Sequence, residues 1–192
     1  ISLNDFGFLF SPILNSAGRI NDANIIIELL TSHNEEKIDK ILNKLIRFNE
    51  KRKLIENKII SDFEIDKLDK NNNEIIFEYK RILSEGLIGI IASRLKEYFN
   101  RPAIILTRSN DVFKASARST SNFNIGIHIK NAVDKDILIS GGGHNLAAGF
   151  LIKKEKIIDF KNFINSIYLK NKKPNIRKYL SKISIEAINN KF

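Results

Sequence analysis

Three short segments of this sequence carry residue types suited to binding a phosphate. The first places Asn15 and Arg19 on either side of Gly18, shortly before Asp22. A guanidinium presents a planar fork of donors that matches a phosphate, and a helix start adds backbone N–H groups. We predict a tight turn at Gly18, followed by a short helix capped by Asp22. Taken alone, the spacing favours an alternative in which Asn15 satisfies backbone groups and Arg19 pairs with an acid.

The second segment runs from Lys114 to Ser119 and is predicted to be a strand. Alternate residues of a strand share a face, so Lys114, Ser116 and Arg118 point to the same side. Two cations and a hydroxyl on one face can hold a phosphate. The more common alternative is an edge strand whose polar face is simply solvated.

The third segment is a run of three glycines, residues 141–143, followed by His144. Glycine permits backbone angles closed to other residues, and successive N–H groups can form an anion-binding nest. His144 can donate to a phosphate oxygen or transfer a proton. The alternative is a glycine turn between strands. Three consecutive glycines are entropically costly for a mere turn, which favours a functional role.

Composition limits the classes of protein to which the chain can belong. The net charge is +10, which favours a polyanionic partner, although a sequence rich in Ile, Asn and Lys would show the same surplus. There is no cysteine, which excludes disulfides and thiolate metal sites and fits a cytoplasmic location. No apolar run approaches the roughly 20 residues of a membrane span. Because the chain starts at Ile1 and contains no methionine, we expect an internal piece of a longer protein.

The elements that must position these segments follow from periodicity. Residues 1–20 contain Gly7, Pro12 and Gly18 and are predicted to be irregular. Residues 35–68 carry apolar side chains at helical spacing, which predicts a long amphipathic helix bridging two domains. From residue 74 to 170, strand patterns alternate with helix patterns, which indicates an α/β domain. The expected strands are 74–80, 102–107, 112–119 and 148–152, and the expected helices are 86–99, 125–133 and 155–170.

Four motifs in this order resemble the RecJ-type single-strand-specific exonucleases of the DHH superfamily. They cover roughly residues 5–170 and are more specific together than any one alone. The motifs are L-N-S-A-G-R-I at 14–20, G-L-I-G-I-I-A at 86–92 followed by R-P at 101–102, S-A-R-S at 116–119, and G-G-H with A-A-G at 142–149.

The resemblance implies an α/β fold in which a long connecting helix precedes a DHH-associated domain with a mixed sheet. Residues 1–32 would end the DHH domain, 33–72 would form the helix, 73–170 the substrate-binding domain, and 171–192 a linker toward an oligonucleotide-binding domain. The implied activity is 5′ to 3′ hydrolysis of single-stranded DNA with Mn²⁺ or Mg²⁺, in DNA repair and recombination. The family's metal motifs lie upstream of this region, so we expect this chain alone to be inactive.

The resemblance also assigns residues. His144 would be catalytic, contacting the scissile phosphate or its neighbour, and a single-strand-binding protein would be a possible partner besides single-stranded DNA. Ser11, Ile13 and Ser84 depart from the family pattern, and a histidine often stands at the last of these positions. The substrate-binding positions are Asn15, Arg19, Lys114, Ser116, Arg118, Ser119, Gly142, Gly143 and His144.

Two other functions remain open at this level. One is a phosphodiesterase of the same superfamily that acts on very short oligonucleotides or cyclic dinucleotides, and the motif around Asn15 and Arg19 argues against it. The other is a non-catalytic nucleic-acid-binding module. The sequence upstream would discriminate, because intact aspartate motifs there would indicate an enzyme.

Overall fold

Helices form the first part of the chain in the computed structural model, which describes residues 2–20, 22–63, 74–80 and 83–171. The prediction of irregular structure before residue 20 is wrong, because the segment is helical throughout most of its length. Pro12 has no N–H to donate, and the π-helical turn just before it widens the helix where that donor is missing. The elements are the π-helical turn Asp5–Phe10, α1 (Ser11–Ile20), α2 (Asn24–Thr31) and α3 (Glu35–Ser61).

The two later helices start differently. The predicted cap at Asp22 is wrong, because the residue before α2 is Ala23, which has no side-chain cap; the Asp22 carboxylate instead accepts a hydrogen bond from the Asn24 N–H at 2.9 Å in the turn that leads into the helix. Asn34 caps α3 by accepting from the Lys37 N–H at 2.9 Å. The helix predicted for residues 35–68 is present through Ser61, and residues 64–68 lie outside the described part of the chain.

Helix α3 joins two apolar clusters. Its first half buries Ile41 and Leu45 against Ala17 of α1. Its last turns place Ile55 and Ile59 against a second cluster that includes residues of the sheet. One helix therefore connects the N-terminal helices to the α/β part.

The α/β part contains a five-stranded mixed sheet in the order β1-β2-β3-β5-β4. The first pair is parallel and the remaining pairs are antiparallel, so the predicted mixed sheet is confirmed. The strands are β1 (Ile76–Tyr79), β2 (Ala103–Ser109), β3 (Val112–Arg118), β4 (Ser140–His144) and β5 (Ala147–Ile152). The helices are α4 (Glu85–Phe99), α5 (Ile125–Asp134) and α6 (Ile157–Asn171), the last entered through a 3₁₀ turn at Lys154–Lys156.

The two faces of the sheet are covered unequally. One face buries Ile104, Ala115 and Phe150 under α5 and α6. On the other face, α4 packs over β2 and β3, while Gly142 of β4 and Gly149 of β5 stay exposed. The sheet therefore has a closed core on one side and a half-open surface on the other. Across the described residues, none of the helices is long and apolar enough to cross a membrane.

Two expectations about the sheet need correction. The glycine run does not form a turn or a nest, because it lies in the extended strand β4 at the sheet edge. No glycine in the described residues has a positive φ, which a nest of alternating backbone angles needs. The alternative of an edge strand at residues 114–118 is also wrong, since β3 is the central strand.

Candidate phosphate-binding groove

The half-open face of the sheet gathers most of the predicted phosphate-binding residues. Paired residues of neighbouring strands share a face, and the register of β3, β5 and β4 therefore aligns them in rows. We call the surface formed by these rows, together with the adjoining ends of α1 and α4, the phosphate groove. The rows are Arg118, Ala147 and His144; Ser116, Gly149 and Gly142; and Lys114, Leu151 and Ser140.

The Arg118 guanidinium is hydrogen-bonded to its own strand. Its Nη1 atom donates to the Ser116 Oγ at 3.1 Å and to the Ala117 carbonyl at 3.0 Å. Burial lowers the pKa of the Arg118 guanidinium, and the positive charge of nearby Arg19 lowers that pKa further. Two guanidiniums are therefore kept close enough to repel one another, an arrangement that a bound anion would relieve.

Arg19 reaches the groove from the end of α1. Its Nη1 atom donates to the Gly86 carbonyl at 2.9 Å, and its own carbonyl accepts from the Ser84 Oγ at 3.1 Å. Ser84, one of the departures from the family pattern, thus tethers the Arg19 backbone. Within the described residues, no carboxylate lies in ion-pair range of the Arg19 or Arg118 guanidinium. The alternative in which Arg19 pairs with an acid is therefore not what the structure shows.

Two glycines of α4 make room for these arginines. A Cβ on Gly86 would lie 2.7 Å from the Arg19 Cα, so this glycine lets α1 approach α4 at backbone contact. A Cβ on Gly89 would lie 3.0 Å from the Arg118 Nη2 and 3.2 Å from the Ser116 Oγ. The missing side chains thus form a notch, and both arginines lie against it.

Lys114 lies on the same face of β3 as Arg118, toward the other end of the strand, and its side chain already has a partner. Its Nζ atom is 2.7 Å from the Glu85 Oε2, and both side chains are close to half exposed. The hydrogen bond from Lys114 lowers the pKa of the Glu85 carboxyl, and one from Ser109 lowers it further. The free protein therefore presents Lys114 as half of an ion pair.

The open half of the groove has two glycines at its centre. Gly142 has no atom within 4 Å of where a Cβ would be, and Gly149 meets only a carbonyl at 3.6 Å. His144 is exposed at the end of β4. Its Nδ1 atom lies 3.3 Å from the Leu146 nitrogen and 3.4 Å from the Asn145 Oδ1. These contacts occupy Nδ1 and leave Nε2 for a ligand.

The turn that carries His144 is fastened to the rest of the domain. The Ser119 N–H donates to the Leu146 carbonyl at 2.8 Å, and the Ile125 N–H donates to the Asn145 carbonyl at 3.3 Å. A Cβ on Gly126 would lie 2.8 Å from the His144 carbonyl, so α5 begins in close contact with the turn. The backbone of His144 is therefore fixed while its ring remains accessible.

Asn15 is exposed on α1 four residues before Arg19, so the two side chains share a helix face. Two other predicted positions do not contribute side chains to this groove. Ser119 is buried and its Oγ donates to the Phe123 carbonyl at 2.6 Å, so the hydroxyl is used inside the fold. Gly143 pairs with Ala148 and faces the α5 side of the sheet.

Sequence reasoning missed Glu85, Gly86 and Gly89 as residues of the groove. In the sequence the glycines stand out only as part of a helical motif, and their spacing of three on one helix face is the signal that could have identified them. Among the described residues, no three His, Asp or Glu side chains group as a metal ion would require. The described residues therefore do not fit a divalent metal.

Comparison with known proteins connects this groove with a family. Residues 72–170, more than half of the chain, match the family model described as the DHHA1 domain. The chain is 31% identical over 173 residues to the single-stranded-DNA-specific exonuclease RecJ of Salmonella typhimurium, covering 84% of this chain and 29% of that protein. It is 32% identical over 165 residues to the RecJ of Bacillus subtilis, covering 84% of this chain and 21% of that protein. The chain thus spans less than a third of these relatives.

A solved structure shares the fold. The RecJ of Thermus thermophilus in complex with Mn²⁺ superposes with a TM-score of 0.77 at 23% identity, covering 86% of this chain and 24% of that one. The likeness extends over the helices and the sheet together, which agrees with the α/β fold expected from the resemblance.

Proposed function

The chain belongs to the DHHA1 domain family, and on that premise we propose that it is the strand-holding part of a RecJ-like, metal-dependent exonuclease for single-stranded DNA. In this proposal the groove binds phosphates of the strand, and the hydrolytic metals, Mn²⁺ or Mg²⁺, are held by sequence outside these residues. The digestion would run from 5′ to 3′.

The observation that carries the proposal is the pair of arginines at the notch. Arg19 and Arg118 lie close enough for one charge to lower the pKa of the other, without a carboxylate in ion-pair range among the described residues. Like charges held together in a partly desolvated site favour an anion strongly. A terminal phosphate is small and doubly charged, so it can accept hydrogen bonds from Arg118 and Ser116 while Arg19 adds its charge.

His144 would serve a different phosphate. It lies in the same row as Arg118 but two strands away, roughly 10 Å at the usual strand spacing. A DNA strand whose 5′ phosphate rests at Arg118 could therefore run across β5 toward His144, beside the open surface at Gly142 and Gly149, which we call the glycine floor. The imidazole would then donate from Nε2 to a phosphate further along the strand, and catalysis there would use that contact.

The cellular role follows by the same premise. We propose participation in DNA repair and recombination in the cytoplasm, with single-stranded DNA as the substrate and a single-strand-binding protein as a partner. These assignments rest on the likeness to RecJ proteins and on the basic surplus of the chain, +10 in all.

Replacing Arg118 tests the proposal. We expect Arg118→Ala in the 192-residue chain to reduce the preference for 5′-phosphorylated over 5′-hydroxyl oligothymidylate by about 1.5–3 kcal/mol, the scale of charged hydrogen bonds. Arg118→Lys should recover only part of this, because it keeps the charge but loses the fork. Binding would be measured for both oligonucleotides by fluorescence anisotropy.

A matched control is Arg108→Ala. Arg108 is an exposed residue of β2 that faces the opposite side of the sheet, so this change removes the same charge away from the groove. Arg108→Ala should weaken the binding of both oligonucleotides slightly and to the same extent. If Arg118→Ala also weakened the binding of both to the same extent, or strongly lowered the melting temperature of the protein, Arg118 would be structural and the phosphate site would lie elsewhere.

A further inference from the structure

Glu85 is the only acidic side chain that the structure shows paired with a cation of the groove, among the described residues. Glu85 is the first residue of α4, and its carboxylate contacts the Lys114 side chain on the groove face of β3. At the other end of the same β3 face, Arg118 has no acidic partner among the described residues. The two ends of one strand face therefore differ in charge: an uncompensated pair of arginines at one end and a neutralised lysine at the other.

The ion pair contributes little to the fold. Both side chains are about half exposed, at 48% and 41%, and such pairs add at most a small fraction of the stability of a domain. The lowered pKa of Glu85 keeps the carboxylate ionised well below neutral pH, so the pair is present under ordinary conditions. Its effect therefore falls on the charge that the groove presents.

We propose that Glu85 is a specificity-determining residue of the groove, which withholds Lys114 from anions until a phosphate of a bound strand displaces the carboxylate. This inference rests on the proposed function of the groove. A phosphate that reaches Lys114 must compete with Glu85, and the freed carboxylate then repels the strand. The residue thus lowers the affinity for polyanions in general and leaves the arginine pair as the strongest site.

Removing the carboxylate tests this. Glu85→Gln should tighten binding of a 5′-phosphorylated oligothymidylate by roughly two- to fivefold at moderate salt, the range expected from an exposed ion pair. In the unaltered chain Glu85 competes for Lys114, so Lys114 contacts a phosphate in only part of the complexes. Without that competition, the plot of log affinity against log salt should become steeper, by at most about 0.7. Lys114→Gln removes the partial contact and should make the slope shallower, and Glu85→Gln should have no further effect in the Lys114→Gln background.

Glu28→Gln is the matched control. Glu28 pairs with Lys37 at 2.8 Å with exposures of 49% and 51%, nearly the same as the groove pair, but on α2 and α3. Glu28→Gln changes the net charge by one unit, as Glu85→Gln does, so its effect on binding measures the general electrostatic contribution. An equal change in slope for Glu28→Gln and Glu85→Gln would overturn the inference, as would a Glu85→Gln effect that persists without Lys114.

The role of Glu85 and the proposed function of the groove can fail separately. If Arg118→Ala lowers phosphate affinity and Glu85→Gln leaves the slope unchanged, the groove binds strands and Glu85 has no part in selecting them. If neither Arg118→Ala nor Lys114→Gln changes the affinity or the slope, the groove does not bind strands and the proposed function itself is wrong. A melting curve for each variant establishes that it is folded.

Discussion

The notch beneath α4 and the glycine floor on β4 and β5 belong to one groove but are built in opposite ways. At the notch, Gly86 and Gly89 lack side chains because other groups already occupy that space, the nearest at 2.7 Å and 3.0 Å from a Cβ. On the floor, Gly142 lacks a side chain in open space, with nothing within 4 Å. Identical residues thus serve packing in one region and accessibility in the other.

This difference has a functional consequence. A guanidinium that is hydrogen-bonded, half-buried and packed against a helix loses little freedom when it binds an anion, so the notch is preorganised. The floor offers area without fixed donors and can accept a sugar–phosphate chain in more than one position. We therefore expect affinity and end recognition to reside at the notch, and tolerance of nucleotide sequence to reside on the floor.

The largest expected effect on stability comes from Gly86→Ala. The added methyl would meet the Arg19 backbone at 2.7 Å and 2.8 Å, where no flexible side chain can give way, so α1 must move away from α4. Overpacking of this kind costs about 1–3 kcal/mol, and we expect the free energy of unfolding to fall by that amount. Chemical denaturation followed by circular dichroism measures it.

Gly142→Ala is the control for that prediction, because the methyl enters open space. Its free energy of unfolding should equal that of the unaltered chain or exceed it by about 0.5 kcal/mol, since alanine loses less backbone entropy on folding. If Gly86→Ala were as stable as Gly142→Ala, the close contact between α1 and α4 would not exist in solution.

A smaller effect, on binding and not on folding, is expected from Gly89→Ala. Its methyl would lie 3.0 Å from the Arg118 Nη2, an atom at the end of a flexible side chain, so the guanidinium can shift by a few tenths of an ångström. Alanine also favours a helix by about 1 kcal/mol over glycine. We therefore expect unchanged or higher stability, together with a loss of about 1 kcal/mol in binding 5′-phosphorylated oligothymidylate.

The comparison with 5′-hydroxyl strands shows where that loss arises. A displaced Arg118 affects the terminal phosphate, so the 5′-hydroxyl strand should bind Gly89→Ala nearly as well as the unaltered chain. Anisotropy titrations with both strands measure the difference. Equal losses would indicate that α4 itself had shifted, and unchanged binding of both would show that the position of Arg118 is not critical.

The sequence predicted the sheet and its helices well because their signals are local. Alternation at Lys114, Ser116 and Arg118 defined a strand face, and the shared face is confirmed by the hydrogen bond between the last two side chains. The long helix was equally visible from its apolar stripe, whereas its cap at Asn34 was not predicted. A hydrophobic period of two or of 3.6 residues follows from the local backbone geometry, so it can be read without knowing the rest of the fold.

The errors share a cause, since each depended on tertiary context. Pro12 and Gly18 are breakers by propensity, yet the packing of α1 against α3 and the π-helical turn before the proline override them. The glycine run was expected to bend, but pairing with β5 holds it extended. The role of Glu85 could not be predicted either, because its partner Lys114 lies 29 residues away on another element.

The smallest predicted effect distinguishes the floor from the notch. His144 is exposed and has only long contacts at Nδ1, so His144→Ala should leave the free energy of unfolding unchanged and weaken strand binding by about 0.5 kcal/mol, the low end for one hydrogen bond. Because the ring lies two strands from Arg118, the loss should be the same for 5′-phosphorylated and 5′-hydroxyl strands. His33→Ala, an exposed histidine before α3, controls for the loss of an imidazole elsewhere. A loss confined to 5′-phosphorylated strands would place the terminal phosphate at the sheet edge and reverse the assignment of the two regions.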